Sequence, residues 1–211
     1  MRAVELYALG IDQVRDIFGA NDQLAGELRE VAAKAFPAPH PRHSAFRPLM
    51  RRDRVLALSP DAPQAAELDL LLSGGFIPPE RGPACWRLFE VFLAHLAHGR
   101  LTVLRDAALL DGVEFDLACA GLSSDFALRR LAERPLQIPL RPVAGRSAGY
   151  SKYRHAQETG LALRRVLADP VDEQSGLTAE TRAVVAPLAD FLDALAPGDD
   201  VIVLGSPVAH Q

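Results

Sequence analysis

Residues Pro83–Leu104 read PACWRLFEVFLAHLAHGRLTVL, and this stretch decides the fold class. Its apolar side chains recur every three or four residues, which is typical of the buried face of an α-helix. These side chains are Cys85, Leu88, Phe89, Phe92, Leu93 and Leu96. Pro83 suits a first helical turn and Gly99 a C-terminal cap, and the apolar run that follows favours a short strand. The stretch therefore predicts a core helix that leads into a core strand.

Both ends of the chain also carry strand patterns. Ala3–Leu9 alternates between apolar and polar residues, as a strand with one buried face does. Val201–Leu204 is apolar throughout, which is typical of a central strand buried on both faces. Leu136–Leu140 alternates too, although Pro139 restricts it to a sheet edge or a strand end. Since helical patterns outnumber these strands, we predict an α+β fold, with a small mixed sheet that includes the N- and C-terminal strands and is covered by several helices.

Length and composition indicate a single domain. The chain has 211 residues, of which 49% are hydrophobic and 24% charged, so it can bury one good core. We therefore predict one α+β domain over residues 1–211. Four prolines fall between positions 37 and 48 and are incompatible with regular structure there. The region around 37–54, rich in proline and arginine, is predicted to be an exposed loop.

The charge and the cysteines limit the class of protein. A formal net charge of −4 disfavours nucleic acid as the main partner. No apolar run approaches the ~18 residues of a membrane span, and Glu5 and Asp12 interrupt the region where a signal peptide is apolar. Cys85 and Cys119 lack the spacing of a metal motif or a disulfide scaffold. These features together predict a cytoplasmic protein. The abundance of alanine and the near absence of lysine beside arginine suggest a GC-rich bacterial genome, so we predict a bacterial protein.

One segment matches a nucleophile motif. Gly145–Gly149 reads GRSAG, the G-x-S-x-G pattern that exposes a serine on a sharp turn in α/β-hydrolases. Asp199 or Asp200 and then His210 follow Ser147 in the order that such a triad needs. A small serine hydrolase using Ser147, Asp200 and His210 is therefore one alternative. Glycine and serine are also common in ordinary loops, so the pattern does not decide whether the chain is an enzyme.

Two histidines suggest a second enzymatic alternative. His95 and His98 stand three residues apart near the end of the predicted core helix, a spacing that can place two imidazoles on one metal ion. Ordinary roles also suit them, namely a hydrogen-bonded core histidine at His95 and a cation at the helix C-terminus at His98. The sequence contains neither a nucleotide-binding loop motif nor the H-E-x-x-H motif, and it identifies no cofactor.

Two polar segments are candidate binding surfaces. The first is a dense basic run, whose guanidinium groups match phosphates or carboxylates. Its residues are Arg42, Arg47, Arg51, Arg52 and Arg54. The second lies where a glycine-containing loop meets a predicted helix that Ser151 would cap, and its candidate residues are Tyr150, Tyr153 and Arg154. Backbone amides at a helix start favour anions, so anion or nucleotide binding is a further alternative.

The order of elements in the C-terminal third resembles a known family. A proline-containing strand, a loop that ends in Gly149-Tyr150, two helices and a terminal apolar strand after Gly-Asp-Asp resemble the YfbM-like family of uncharacterised bacterial proteins. Its N-terminal strand and short helix are similar to Ala3–Phe18. The resemblance implies an α+β fold and, from some relatives, an immunity or partner-binding role, but it assigns no catalytic residue.

These patterns together favour a binding protein over an enzyme. We expect a non-enzymatic protein that binds a protein partner, as an immunity-type or regulatory factor. The serine or metal hydrolase and the anion- or nucleotide-binding protein remain the alternatives. Nucleic acid and membrane are not expected as partners.

Overall fold

The structure, a computed structural model, describes residues 2–37, 62–105, 107–168 and 177–207. These residues form four strands, seven α-helices and three 3-10 helices. The strands are β1 (Arg2–Ala8), β2 (Gly99–Arg105), β3 (Ser147–Ser151) and β4 (Val201–Pro207). The α-helices are α1 (Ile11–Asp16), α2 (Asp22–Ala35), α3 (Ala65–Leu72), α4 (Gly82–Leu96), α5 (Ala107–Cys119), α6 (Tyr153–Ala168) and α7 (Ala179–Asp193). The 3-10 helices are Pro79–Arg81, Ser124–Phe126 and Leu128–Ala132.

The four strands form one antiparallel sheet in the order β2-β1-β4-β3. The N- and C-terminal strands are neighbours, and Leu6 of β1 lies opposite Leu101 of β2 and Val203 of β4. The predicted α+β class, with a sheet that contains both terminal strands, is therefore confirmed. The expected mixture of parallel and antiparallel pairs is wrong, because each described strand runs opposite to its neighbours.

The pattern of Val201–Leu204 is explained by the position of β4 between β1 and β3. All four of its apolar side chains are at most 7% exposed, so both faces of this strand are covered. The prediction of a central strand from a run without polar residues is confirmed. Strand β1 is also buried on both faces, although its sequence alternates. Leu6 and Tyr7 are consecutive, so their side chains point to opposite faces, and both are buried.

The predicted core helix is α4, and β2 follows it as expected. The side chains of Trp86, Phe89 and Phe92 are at most 2% exposed. Trp86 packs edge-on against Phe89, with ring centroids 5.6 Å apart, and its indole N–H donates to the carbonyl of Arg141 at 2.8 Å. Helical periodicity therefore identified this helix because most of its apolar positions are buried.

The described residues fall into two compact units. The first comprises 1–15, 96–138 and 142–211, and the second comprises 16–95 and 139–141. In the first unit, helices α5, α6 and α7 contribute to an apolar cluster with the β1 and β4 side chains that point to one sheet face. In the second unit, α2, α3 and α4 supply the buried residues. The single domain over residues 1–211 stays a prediction, and the loop predicted around 37–54 lies, from residue 38 onward, outside the described residues.

The structure corrects the expectation for Leu136–Leu140. This segment forms no strand, and the third strand of the chain is Ser147–Ser151, within the stretch expected to be a loop. An isolated bridge joins Arg134 to Tyr150, and the next residue along, Pro135, has no N–H to continue a ladder. A short alternating run is therefore not sufficient to predict a strand when prolines flank it.

Gly112 lies in the interior of a helix. Helix α5 runs without interruption from Ala107 to Cys119. A glycine inside a helix lowers its stability by about 1 kcal/mol relative to alanine. The burial of Val113 and Leu117 in the first unit's core can offset this loss.

The buried thiol of Cys85 provides a test of the second unit's interior. Burial and, secondarily, the charge of Glu67 raise the pKa of Cys85 to about 11. An unfolded thiol titrates near pH ~8.5, so the folded state gains stability below that pH and loses it as the pH rises toward about 11. We expect the free energy of unfolding to fall by roughly 3 kcal/mol across this window, measured by denaturant titration at several pH values.

Burial also raises the pKa of Tyr7, so the titration of Tyr7 lowers the free energy of unfolding too, at higher pH. A Cys85→Ala variant is therefore the control that separates the contribution of the thiol. The variant should lose the part of the decline that lies between pH ~8.5 and ~10. An unchanged pH profile in Cys85→Ala would show that this thiol titrates normally in the folded protein.

Candidate functional site

The three residues of the predicted serine triad are not brought together by the described structure. Ser147 begins β3 and lies opposite Gly205 of β4, whereas Ser151 at the other end of β3 lies opposite Val201. Asp200 precedes Val201, so Ser147 and Asp200 are separated by the length of β3, roughly 13 Å at the usual rise of a strand. His210 lies outside the described residues. Ser147 is also part of a paired strand instead of the sharp turn that a nucleophile elbow requires.

Asp200 instead connects the starts of two helices. Its side chain is buried and accepts hydrogen bonds from the backbone N–H of Ile11 at 3.0 Å and of Tyr153 at 3.0 Å. Lys152 donates to the same carboxylate at 3.0 Å. The first turns of α1 and α6 each present backbone N–H groups without partners inside the helix. One carboxylate therefore caps both helices.

The two histidines each bind a carboxylate of the protein. His95 Nε2 lies 2.7 Å from Glu27 Oε1, and His98 Nδ1 lies 2.8 Å from Asp199 Oδ1. Asp199 also accepts from the backbone N–H of Ala196 at 3.2 Å. Among the described residues, no group of three or more His, Cys, Asp or Glu side chains is placed to hold a metal ion.

The candidate binding residues near the start of α6 are used largely within the protein. Tyr150 is buried, and the Lys152 ammonium lies 5.7 Å from the centre of its ring. Tyr153 packs partly against the first unit's core. Arg154 is 90% exposed and pairs with Glu158 one turn away. The basic run lies outside the described residues, namely Arg42, Arg47, Arg51, Arg52 and Arg54.

Ser151 does not cap α6 as the sequence suggested. Its side chain is 2% exposed, and its hydroxyl has no hydrogen-bond partner. In an antiparallel ladder, directly opposite residues share a face, so Ser151 lies on the face of Val201, whose side chain belongs to the apolar cluster. The cap comes from Asp200, which is distant in the chain, and therefore no local pattern could reveal it.

A groove in the first unit combines apolar and basic side chains on the surface. It consists of two adjoining cavities of about 490 Å³ and about 220 Å³ that share Ser124, Ala127 and Arg129. The larger cavity is lined by Ser124, Ala127, Arg129, Arg130 and Glu133. The smaller one is lined by Glu114, Leu117, Ala118, Leu122, Ser123, Ser124, Ala127, Leu128 and Arg129. We call the two cavities together the α5 groove, because α5 and the two 3-10 helices that follow it form its walls.

The Glu114 carboxylate fixes one side of the α5 groove. It accepts from the backbone N–H of Arg129 at 3.0 Å and also pairs with the Arg129 guanidinium. The Glu114 side chain is only 8% exposed, whereas that of Arg129 is 72% exposed. Arg130 pairs with Glu133, the residue that directly follows the same 3-10 helix. The two arginines are therefore held at the groove mouth, and each has its charge balanced by a neighbouring carboxylate.

An exposed aromatic side chain lies beside the groove. Phe115 is 69% exposed although it is in the middle of α5. It precedes Ala118 by three residues, and residues with this spacing are neighbours on a helix surface. Exposed aromatic and arginine side chains are the types enriched in protein interfaces.

No pattern in the sequence predicts the α5 groove. The Arg129-Arg130 pair and the Ser123-Ser124 pair are visible in the sequence, and so is a phenylalanine between the core positions Val113 and Leu117. None of these patterns indicates a cavity by itself. The cavity depends on how the chain turns back after α5, which is a tertiary feature.

The structure thus defines an α+β protein in which a four-stranded antiparallel sheet is combined with helices and a surface groove. A family model described as "Domain of unknown function (DUF7691)" matches residues 1–204, so the chain belongs to this family. No curated protein and no solved structure matches the chain. The resemblance to the YfbM-like family stays a prediction. Within the described ranges, every helix is too short or too polar to cross a bilayer.

Proposed function

We propose that this protein is a non-enzymatic, cytoplasmic bacterial protein that binds a protein partner through the α5 groove, in an immunity-type or regulatory role. The observation that carries the proposal is a formed cavity lined by two arginines, with the exposed Phe115 on α5, the helix that supplies one wall of the cavity. Buried apolar anchors and arginines supply most of the binding free energy in typical interfaces.

The contacts of the polar side chains that were candidates for catalysis also support a binding protein. Asp200 caps α1 and α6, and His95 and His98 each pair with one carboxylate. These contacts give each group a structural role that requires no substrate. The α5 groove, in contrast, has donors and apolar surface that face outward.

The test is affinity purification of the tagged protein from its own host, with native mass spectrometry of what co-purifies. Phe115→Ala and Arg130→Ala should each weaken retention of a discrete protein companion by about tenfold or more, as expected for interface anchors. Leu161→Ala and Arg154→Ala are matched controls. Leu161 is an exposed apolar residue on α6, and Arg154 is an exposed arginine with a helical carboxylate partner.

The four variants distinguish binding through the α5 groove from the alternatives. If all of them retain the companion equally, the α5 groove is not the binding surface. A stoichiometric small-molecule adduct in place of a protein companion would contradict the proposed function itself. Since all four positions are on the surface, circular dichroism should show the same folded spectrum for each variant.

A further inference from the structure

The chemistry of the α5 groove specifies what kind of partner segment it suits. We infer that the groove binds an uncharged, extended peptide segment of the partner, with one apolar side chain inserted in the smaller cavity. This inference rests on the proposed function and adds the nature of the ligand to it.

The smaller cavity suits a single side chain. Its volume of about 220 Å³ is below the roughly 300–1,000 Å³ that is usual for small-molecule and cofactor sites. Five of its nine lining residues are apolar, namely Leu117, Ala118, Leu122, Ala127 and Leu128. An aliphatic or aromatic side chain that enters it would remove apolar surface from water on both partners.

The mouth of the groove suits a peptide backbone. Arg129 and Arg130 each pair with one carboxylate, and a guanidinium carries five N–H donors, so donors remain for carbonyl oxygens. Ser124 and Glu133 in the larger cavity supply acceptors for peptide N–H groups. The backbone of an extended segment requires both donors and acceptors, and the groove supplies both.

The charge of the lining disfavours an anionic ligand. Two arginines and two glutamates line the groove, and each arginine is paired with one of the glutamates. The buried Glu114 carboxylate already takes the position in which an acidic ligand would meet both the Arg129 amide and its guanidinium. A nucleotide or acidic peptide therefore gains little Coulomb attraction here, and binding should depend only weakly on salt.

The experiment uses a random-peptide display library selected against the full-length protein. We expect enriched sequences to share one aliphatic or aromatic position and to show no excess of Asp or Glu. The affinity of the best peptide is then measured by fluorescence polarisation. Its Kd should change by less than about threefold between low and high salt, since charge screening has little to act on.

Ala118→Phe fills the smaller cavity from an exposed helical position and should weaken the selected peptide by about tenfold or more. Cys119→Phe, on the adjacent exposed position of α5, does not line either cavity and should bind within about twofold of the unmodified protein. Equal affinities of the two variants, enrichment of acidic peptides with a steep salt dependence, or no enrichment at all would each overturn the inference.

Failure of this inference is distinguishable from failure of the proposed function. If the host companion depends on Phe115 and Arg130 but is retained by Ala118→Phe, the groove surface binds a partner without a side chain in the cavity. If the companion is retained by the Phe115 and Arg130 variants too, the proposed function fails at the level of the surface.

Discussion

A Gly149→Ala variant should lose about 3 kcal/mol of unfolding free energy, at the upper end of the cost of overpacking. A methyl group at this position would lie 2.6 Å from the carbonyl carbon of Ala132 and closer still to its oxygen. Both are backbone atoms at the end of the 3-10 helix Leu128–Ala132, which lies directly against β3. Tyr150 secures this contact, since its N–H donates to the carbonyl of Arg134 at 2.9 Å. The strand and the 3-10 helix must therefore separate to admit the methyl group.

The measurement is denaturant unfolding followed by circular dichroism, with Gly112→Ala as the matched control. Gly112 is inside α5, and a methyl group there would meet no atom within 4 Å. Its replacement should raise the unfolding free energy by about 1 kcal/mol, because alanine is the better helix former. If Gly149→Ala were as stable as the unmodified protein, the close approach of Ala132 to β3 would be wrong.

This prediction also explains a glycine of the apparent nucleophile motif. In a nucleophile elbow, the last glycine of G-x-S-x-G serves a strained turn before a helix. Here Gly149 is in the middle of a paired strand, opposite Val203. Gly149 is required because the backbone of Ala132 lies against this face of the strand. This glycine therefore has a packing role and does not form a turn.

Asp200→Ala is expected to cost about 3 kcal/mol, since it removes the caps of two helices and a buried, charged hydrogen-bond acceptor. The carboxylate accepts from the N–H groups of Ile11 and Tyr153, and its residue is only 5% exposed. For a chain of 211 residues this loss corresponds to a fall in Tm of roughly 10 °C. Asp200→Asn keeps one acceptor oxygen and should show an intermediate loss.

Two control variants separate capping from other contributions of this region. Lys152→Met removes an ion pair whose lysine is 45% exposed, and such pairs contribute less than about 1 kcal/mol. Ser151→Ala removes a buried hydroxyl that has no partner, so it should be neutral or slightly stabilising. If Ser151→Ala destabilised the protein as strongly as Asp200→Ala, the serine would be the cap, as its sequence position suggested.

The elements that the sequence alone determined are those whose signal is local. Helix α4 was predicted because burial on nearly all sides leaves a dense apolar pattern at helical spacing. Strand β4 was predicted as central because a strand covered on both faces has no polar position. The α+β class follows from such patterns.

Other features were decided by tertiary structure because their partners are distant in the chain. Asp200 caps a helix that begins 189 residues earlier at Ile11, and no local pattern connects these positions. Three of the five residues of strand β3 are glycine or serine, and the strand has little apolar alternation, so its pairing with β4 comes from register and packing. The α5 groove arises where the 3-10 helices turn back against α5. Apolar periodicity indicates which residues are buried, but hydrophobic burial is not directional, and it does not determine which elements meet or where a cavity is left between them.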